Sequence, residues 1–142
     1  MTSSYETDDR YERGFVRYAE LGGTGTRGHV YDDFASIAPD LPRFVIEFGY
    51  GDIHSRPGLD AARRELVILG SLITLGGVEP QIEVHIGSAL NAGLSPTEIV
   101  EAILQVLPYG GFPRVVAAMN IAKRVFQARN LLPVPQPGQG DG

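Results

Sequence analysis

The sequence predicts an all-α protein of about six helices. Caps and breakers divide residues 59–114 into three consecutive helices, and apolar residues recur at helical spacing in most of the remaining segments. Residues 43–50 are apolar enough for a strand, but no second segment reads as a partner strand, so a helix is favoured there as well. We therefore expect the apolar residues to be buried between helices.

Length and composition limit the possible functions. The 142 residues predict one domain, and the hydrophobic fraction of 43% is sufficient for a core. A net charge of −5 with no basic run argues against a nucleic-acid partner. No apolar run is long enough for a membrane span and the first residues do not resemble a signal peptide, so we expect a cytoplasmic protein. The absence of cysteine excludes disulfides, thiolate nucleophiles and cysteine metal sites.

The first sixty residues show weaker helical signals. Residues 1–7 are predicted to be disordered, and Thr7 or Asp8 can cap a helix that ends at Gly22. Residues 23–28 formally match G-x-G-x-x-G, but no strand precedes them, so a loop is favoured over a nucleotide site. Short helices are predicted for residues 30–38 and 43–50, and a turn-rich connector for 51–58.

The three central helices have clear boundaries. Asp60 can cap the first, which is apolar on nearly every side and ends at Gly76. The second begins near Glu79, ends at Gly93, and carries His85 on the same face as its inward apolar residues. The third opens with the capping box of residues 95–98.

The final segments complete the predicted domain. Pro108 is expected to break or kink the third central helix. A last helix is predicted for residues 115–130, and the Pro- and Gly-rich residues 132–142 are predicted to be a disordered tail. The helical domain is therefore expected to cover residues 8–131.

Several segments resemble the carboxymuconolactone decarboxylase family, and the likeness extends roughly from Tyr11 to Phe126. The segments that carry it are residues 11–14, 51–59, 83–99, 103–106 and 109–113. The resemblance implies an alkylhydroperoxidase D-like helical bundle that forms homo-oligomers, either trimers or hexamers. Within this superfamily, the peroxidase branch uses Cys-x-x-Cys followed by histidine. The corresponding positions here are Val78, Gln81 and His85, so the thiol chemistry is excluded and the decarboxylase branch remains.

The resemblance also implies the chemistry. A decarboxylase of this family uses no metal or organic cofactor and acts on a small anionic lactone, whose electrons spread to the lactone carbonyl as CO₂ leaves. The site must bind a carboxylate, stabilise an oxyanion and deliver a proton. His85 is the candidate proton or oxyanion donor, and Glu65, close to a glutamate position of the peroxidase branch, could orient it or handle the proton. His54 is a candidate second imidazole.

Substrate binding has three candidates. Arg56 or Arg114 could bind the carboxylate through a bidentate guanidinium contact, and Tyr109 is the third. His54 replaces the tryptophan usual in the family, and Pro108 replaces a small apolar residue. These changes suggest a different substrate, in lactone or polyketide metabolism, with isomerase- or cyclase-type enolate chemistry as an alternative.

Other interpretations stay open at this point. His85 could be a core histidine, Glu65 a carboxylate favoured by its helix dipole, Arg56 part of a turn, and His29 a solvent-facing loop residue. Two histidines and a carboxylate could bind a metal, but no metal-ligand spacing is present, so no metal is predicted. A non-catalytic oligomeric binding protein is the rival class; replacing its histidine would change stability without changing any activity.

Overall fold

The computed structural model describes residues 9–138, and all the regular secondary structure over these residues is helical. The all-α prediction is confirmed. The predicted disorder of residues 1–7, the capping role of Thr7 or Asp8, and residues 139–142 of the predicted tail lie outside the described residues. The contacts cluster into two compact units, Met1–Ala61 and Ala62–Gly142, and the single domain over residues 8–131 stays a prediction.

The first unit contains one long helix and one unusual helix. Its elements are α1 (Asp9–Glu20), a 3₁₀ turn (Asp32–Phe34), α2 (Leu41–Phe44), and a π-helix that continues α2 (Val45–His54). The α1 helix packs directly on the π-helix, with Gly14 and Gly51 at the contact. A Cβ atom at Gly14 would collide with the carbonyl oxygen of Ile46, so this contact requires glycine.

An ion-pair cluster joins the same two helices at their exposed edge. The Arg10 guanidinium donates to both carboxylate oxygens of Asp52, at 2.9 and 2.6 Å, and Arg13 lies 3.6 Å from that carboxylate. The hydrogen bonds from Arg10, followed by the charges of Arg10 and Arg13, lower the pKa of Asp52 below its ordinary value. The cluster therefore fixes the register of α1 on the π-helix.

Two local predictions for this unit were wrong. The helix predicted for residues 30–38 is reduced to the 3₁₀ turn, because Tyr31 has left-handed backbone angles (φ 55°, ψ 45°) that interrupt an α-helix. The connector predicted for residues 51–58 begins only after His54, because the π-helix continues through Gly51. The helix predicted for residues 43–50 is confirmed, although most of it is π-helical.

The second unit holds the main core. Its helices are α3 (Ala61–Leu75), α4 (Glu79–Asn91), α5 (Pro96–Gln105), α6 (Leu107–Gly110) and α7 (Phe112–Ala128). Each helix from α3 to α5, together with α7, contributes a stripe of buried residues, and α6 adds partly buried Leu107. The largest fully buried core side chains are those of Leu69, Ile73, Ile86, Ile99, Ile103 and Phe126.

The predicted ends of α3 and α4 and the predicted start of α5 are confirmed, whereas the last helix runs over Phe112–Ala128 and not over residues 115–130. The Ser95 hydroxyl accepts from the Glu98 N–H at 3.1 Å, and the Glu98 carboxylate accepts from the Ser95 N–H at 3.0 Å. Gly76 and Gly93 end α3 and α4 with φ of +72° and +100°. Pro108 lies in the first turn of α6, so the chain makes the predicted break after Gln105.

One prediction about α3 was too strong. Glu65, Leu69 and Ile73 are buried, but Val67 is 62% exposed and Leu75 is 66% exposed in the single chain. One face of the helix is therefore buried in the core, while another face carries apolar residues that are exposed in the single chain.

The first part of the predicted tail makes fixed contacts. Val134 packs against the core, as does Leu131 just before the tail, and the Thr97 hydroxyl donates to the Pro135 carbonyl at 2.8 Å. These contacts allow a Pro-rich segment to be ordered without secondary structure.

No helix among the described residues is both long enough and apolar enough to span a membrane.

Candidate active site

A buried carboxylate–imidazole pair lies inside the second unit. Oε2 of Glu65 on α3 is 2.9 Å from Nδ1 of His85 on α4. The Glu65 side chain is completely buried, and the His85 side chain is 18% exposed. The pair therefore has one end inside the core and one end that solvent or a ligand can reach.

Helical spacing explains why these two side chains meet. Glu65 shares the buried stripe of α3 with Leu69 and Ile73, which follow at intervals of four residues. His85 lies between Ile82 and Ala89, both of which are buried on α4. A carboxylate on an otherwise apolar stripe needs a polar partner, because burying a charge without one is strongly unfavourable.

The contact with Glu65 distinguishes the two ring nitrogens of His85. An ionised carboxylate can only accept hydrogen bonds, so Nδ1 of His85 donates to Glu65. Within residues 9–138, Nε2 of His85 makes no hydrogen bond. The contact with Glu65 holds the ring in one orientation and leaves Nε2 without a hydrogen-bond partner among the described residues.

His54 has a different environment in the first unit. Its side chain is buried, and its ring stacks on Tyr50 with centroids 5.8 Å apart. The same guanidinium nitrogen of Arg17 lies 3.1 Å from Nδ1 of His54 and donates to the His54 carbonyl oxygen at 2.8 Å. A guanidinium can only donate, so Nδ1 of His54 accepts and the ring proton lies on Nε2. The catalytic role of His54 stays a prediction.

The three substrate-binding candidates lie at different places. Arg56 is exposed in the loop that follows the π-helix. Tyr109 is 85% exposed on α6 and lines a largely apolar cavity of about 620 Å³ between α3 and α5. Arg114, in the first turn of α7, lines a second cavity of about 380 Å³. Among the described residues, neither Tyr109 nor Arg114 has a polar contact with His85.

The sequence reasoning did not single out Arg17, which holds His54. A usable signal was present, because Arg10, Arg13, Gly14 and Arg17 follow the spacing of one helix face. An arginine-rich face with a central glycine indicates a close helix contact with hydrogen bonds along it. Glu79, which lines the second cavity together with Arg114, was also missed, and it has no comparable signal in the sequence.

The histidines and carboxylates of this chain are the side chains that could ligate a metal. Over residues 9–138, no three His, Asp or Glu side chains are grouped so that they could hold a metal ion. His29 pairs instead with Asp32 at 3.4 Å, and both side chains are exposed.

Comparison with known proteins gives a family match and three curated relatives. The model described as "Carboxymuconolactone decarboxylase family" matches residues 39–124. The 4-carboxymuconolactone decarboxylase of Acinetobacter baylyi is 30% identical over 126 residues, which are 89% of this chain and 93% of that protein. The nitrosuccinic acid decarboxylase of Metarhizium robertsii is 34% identical over 133 residues, covering 89% of this chain and 90% of the relative. An uncharacterized 15.0 kDa protein of Paracoccus denitrificans is 35% identical over 91 residues, or 63% of this chain and 68% of that protein.

Proposed function

Because the chain belongs to the carboxymuconolactone decarboxylase family, we propose that it is a carboxy-lyase that releases CO₂ from a small organic acid, with His85 as the proton donor. The observation that carries this proposal is the Glu65–His85 pair, whose carboxylate is completely buried and whose Nε2 makes no hydrogen bond in residues 9–138. Such a pair can hold a proton at one defined atom and release it to a bound molecule.

The two decarboxylases among the relatives narrow the chemistry. One is named for a carboxylated lactone and the other for nitrosuccinic acid, and this chain matches nine-tenths or more of each. In both kinds of molecule, a carboxylate can leave from a carbon whose electrons spread onto oxygen, through a conjugated lactone carbonyl or through a nitro group. We therefore propose a substrate with a carboxylate next to, or conjugated with, such an oxygen-bearing electron acceptor.

The mechanism follows from the position of the proton. The bond between the substrate carbon and its carboxylate breaks, CO₂ leaves, and the electron pair moves onto the acceptor oxygens. Nε2–H of His85 first stabilises this negative charge and then delivers a proton to carbon. Nδ1 keeps its hydrogen bond to Glu65 throughout, and the negative carboxylate at 2.9 Å offsets the positive charge of the doubly protonated ring. Water returns the proton to Nε2 and completes the cycle without a cofactor.

The direct test is CO₂ release by the purified protein from 4-carboxymuconolactone and from nitrosuccinate. With the substrate that is turned over, His85→Asn is expected to lower kcat by about 10²- to 10⁴-fold, the usual contribution of general acid catalysis. Glu65→Gln should lower it less, because the ring stays in place but loses the opposing charge. His29→Asn is the matched control, since His29 is an exposed histidine of the other unit.

Two outcomes would contradict the proposal. Equal kcat for the His85→Asn variant and the wild type would remove His85 from the chemistry, provided that both proteins are folded. If neither substrate releases CO₂ and a panel of other lactone acids and β-keto acids also fails, the carboxy-lyase is refuted, and isomerase- or cyclase-type enolate chemistry or a non-catalytic binding protein is left. In the non-catalytic case the pair would affect only stability.

A further inference from the structure

We propose that the cavity at the turn between α3 and α4 is a carboxylate-binding subsite, with Arg114 as its anion-binding residue. The cavity lies within the second unit and is lined by Gly76, Gly77, Glu79, Ile82 and Arg114, together with Ile73, Leu75, Pro113 and Ala117. Its volume of about 380 Å³ is in the range of small-molecule sites. This inference rests on the proposed function, because it assigns the site where an anionic substrate or product is held.

Arg114 is available for a ligand. Among residues 9–138, its guanidinium takes part in no hydrogen bond or ion pair. A guanidinium is planar and presents several N–H donors at once, so it can bind both oxygens of a carboxylate. Arg114 is the cation that lines this cavity, whose other walls are mainly apolar side chains and glycine backbone.

The turn between α3 and α4 is shaped to receive this arginine. Gly76 has φ +72°, and a Cβ atom added there would lie 2.8 Å from Nε of Arg114. The side chain therefore lies directly against the backbone of Gly76, in space that another residue would fill. This contact restricts the guanidinium before any ligand arrives, which reduces the entropy lost on binding.

Glu79 also lines the cavity, and its negative charge limits which ligands Arg114 can bind there. Its carboxylate repels an anion, so the affinity of the cavity reflects the balance between one cation and one anion. A carboxylate that reaches Arg114 directly is favoured, whereas a diffuse or highly charged anion is not. Arg114 and Glu79 together would thus select small carboxylates over inorganic polyanions.

Helix α4 carries both His85 and part of the cavity lining. Ile82, which lines the cavity, precedes His85 by one helical turn, an axial step of roughly 4.5 Å. A small acid with two carboxylates could place one at Arg114 and present the other end toward His85. The subsite would then hold the group that is retained while the other carboxylate leaves as CO₂.

The test uses binding and does not depend on turnover. Succinate is titrated into the ¹⁵N-labelled full chain, and the Nε–H resonance of Arg114 is followed by NMR, with neutral succinamide as the ligand control. We expect a saturable shift with succinate and none with succinamide. Arg114→Gln should weaken succinate binding at least about tenfold, measured by calorimetry, because a charge-assisted hydrogen bond is lost.

Matched variants separate a local effect from a change in net charge. Glu79→Gln should tighten succinate binding by about two- to fivefold, because one opposing charge is removed. Glu83→Gln on the exposed side of α4 changes the net charge as Glu79→Gln does, Arg124→Gln on α7 changes it as Arg114→Gln does, and both should leave binding unchanged. Equal effects of Glu79→Gln and Glu83→Gln, or wild-type affinity in Arg114→Gln, would overturn the subsite.

Failure of the subsite and failure of the proposed function give different results. Saturable succinate binding that requires Arg114, in a protein that releases no CO₂ from any acid tested, would leave the subsite standing and refute the decarboxylase. Turnover that requires His85, with a succinate titration that leaves the Arg114 resonance unmoved, would refute the subsite alone.

Discussion

The Glu65–His85 pair should be coupled in stability as well as in chemistry, and a double-mutant cycle measures that coupling. Glu65→Met removes the carboxylate with little change in volume, and His85→Leu removes the imidazole. The two groups are joined by one charge-assisted hydrogen bond of 2.9 Å, with the carboxylate fully buried and the ring 18% exposed. Such a bond contributes roughly 1.5–3 kcal/mol, so the coupling energy should lie in that range.

The two single variants should differ. His85→Leu takes the imidazole from a carboxylate that remains buried, so this variant should be clearly destabilised. Glu65→Met also removes the unfavourable burial of a charge, so it should be much less destabilised and could be neutral. In the double variant, the loss should be smaller than in His85→Leu alone, because no buried carboxylate is left.

Urea unfolding followed by circular dichroism is a suitable assay. With a urea dependence of about 2 kcal/mol/M for a chain of this size, a coupling of about 2 kcal/mol corresponds to a midpoint shift of roughly 1 M. His29→Leu, at an exposed histidine, should shift the midpoint by less than about 0.25 M, corresponding to 0.5 kcal/mol. A coupling below about 0.5 kcal/mol, or equal losses in the two single variants, would refute this account of the pair.

Three further predictions concern the rest of the fold. Gly14→Ala should destabilise the protein by about 3 kcal/mol, because the added Cβ atom would collide with backbone atoms. Gly49→Ala, which has open space around it, should stabilise the protein by up to about 1 kcal/mol. Urea unfolding of both variants measures the difference, and equal effects would contradict the prediction. Because Arg10 lowers the folded-state pKa of Asp52, their pair should stabilise the fold above the ordinary aspartate pKa and lose this effect as pH falls through the folded-state value. Asp52→Asn should therefore flatten the acid limb of a plot of stability against pH, and an unchanged limb would contradict the prediction. We also propose that the protein is a homo-oligomer whose interface includes the exposed apolar face of α3, so Val67→Glu should lower the sedimentation coefficient, and a monomeric wild type would refute this.

The second unit was largely predictable because its signals are local. The capping box at Ser95 and the glycines after α3 and α4 act within one helical turn, so neighbouring residues alone determine them. The apolar stripes also follow from spacing along the chain. What spacing could not show is that one face of α3 remains exposed around Val67, because that depends on which helices cover it.

The first unit was less predictable because its shape depends on contacts between distant residues. The π-helix accommodates the approach of α1, where Gly14 meets the carbonyl of Ile46 more than thirty residues later. Tyr31 adopts left-handed backbone angles that its residue type does not favour, and no neighbouring residue in the sequence predicts them. Only the packed structure determines either feature.

The candidate site falls between these two cases. Helical spacing placed Glu65 and His85 on inward faces, but their contact requires α3 and α4 to pack in one register, which neither helix specifies alone. The two imidazoles then take different hydrogen-bonding roles. Nδ1 of His54 accepts from the Arg17 cation, whereas Nδ1 of His85 donates to the Glu65 carboxylate. Nδ1 of His54 is thus in contact with a cation, whereas Nε2 of His85 makes no hydrogen bond among the described residues. We therefore propose His85, and not His54, as the proton donor, on a difference in hydrogen bonding that the sequence does not show.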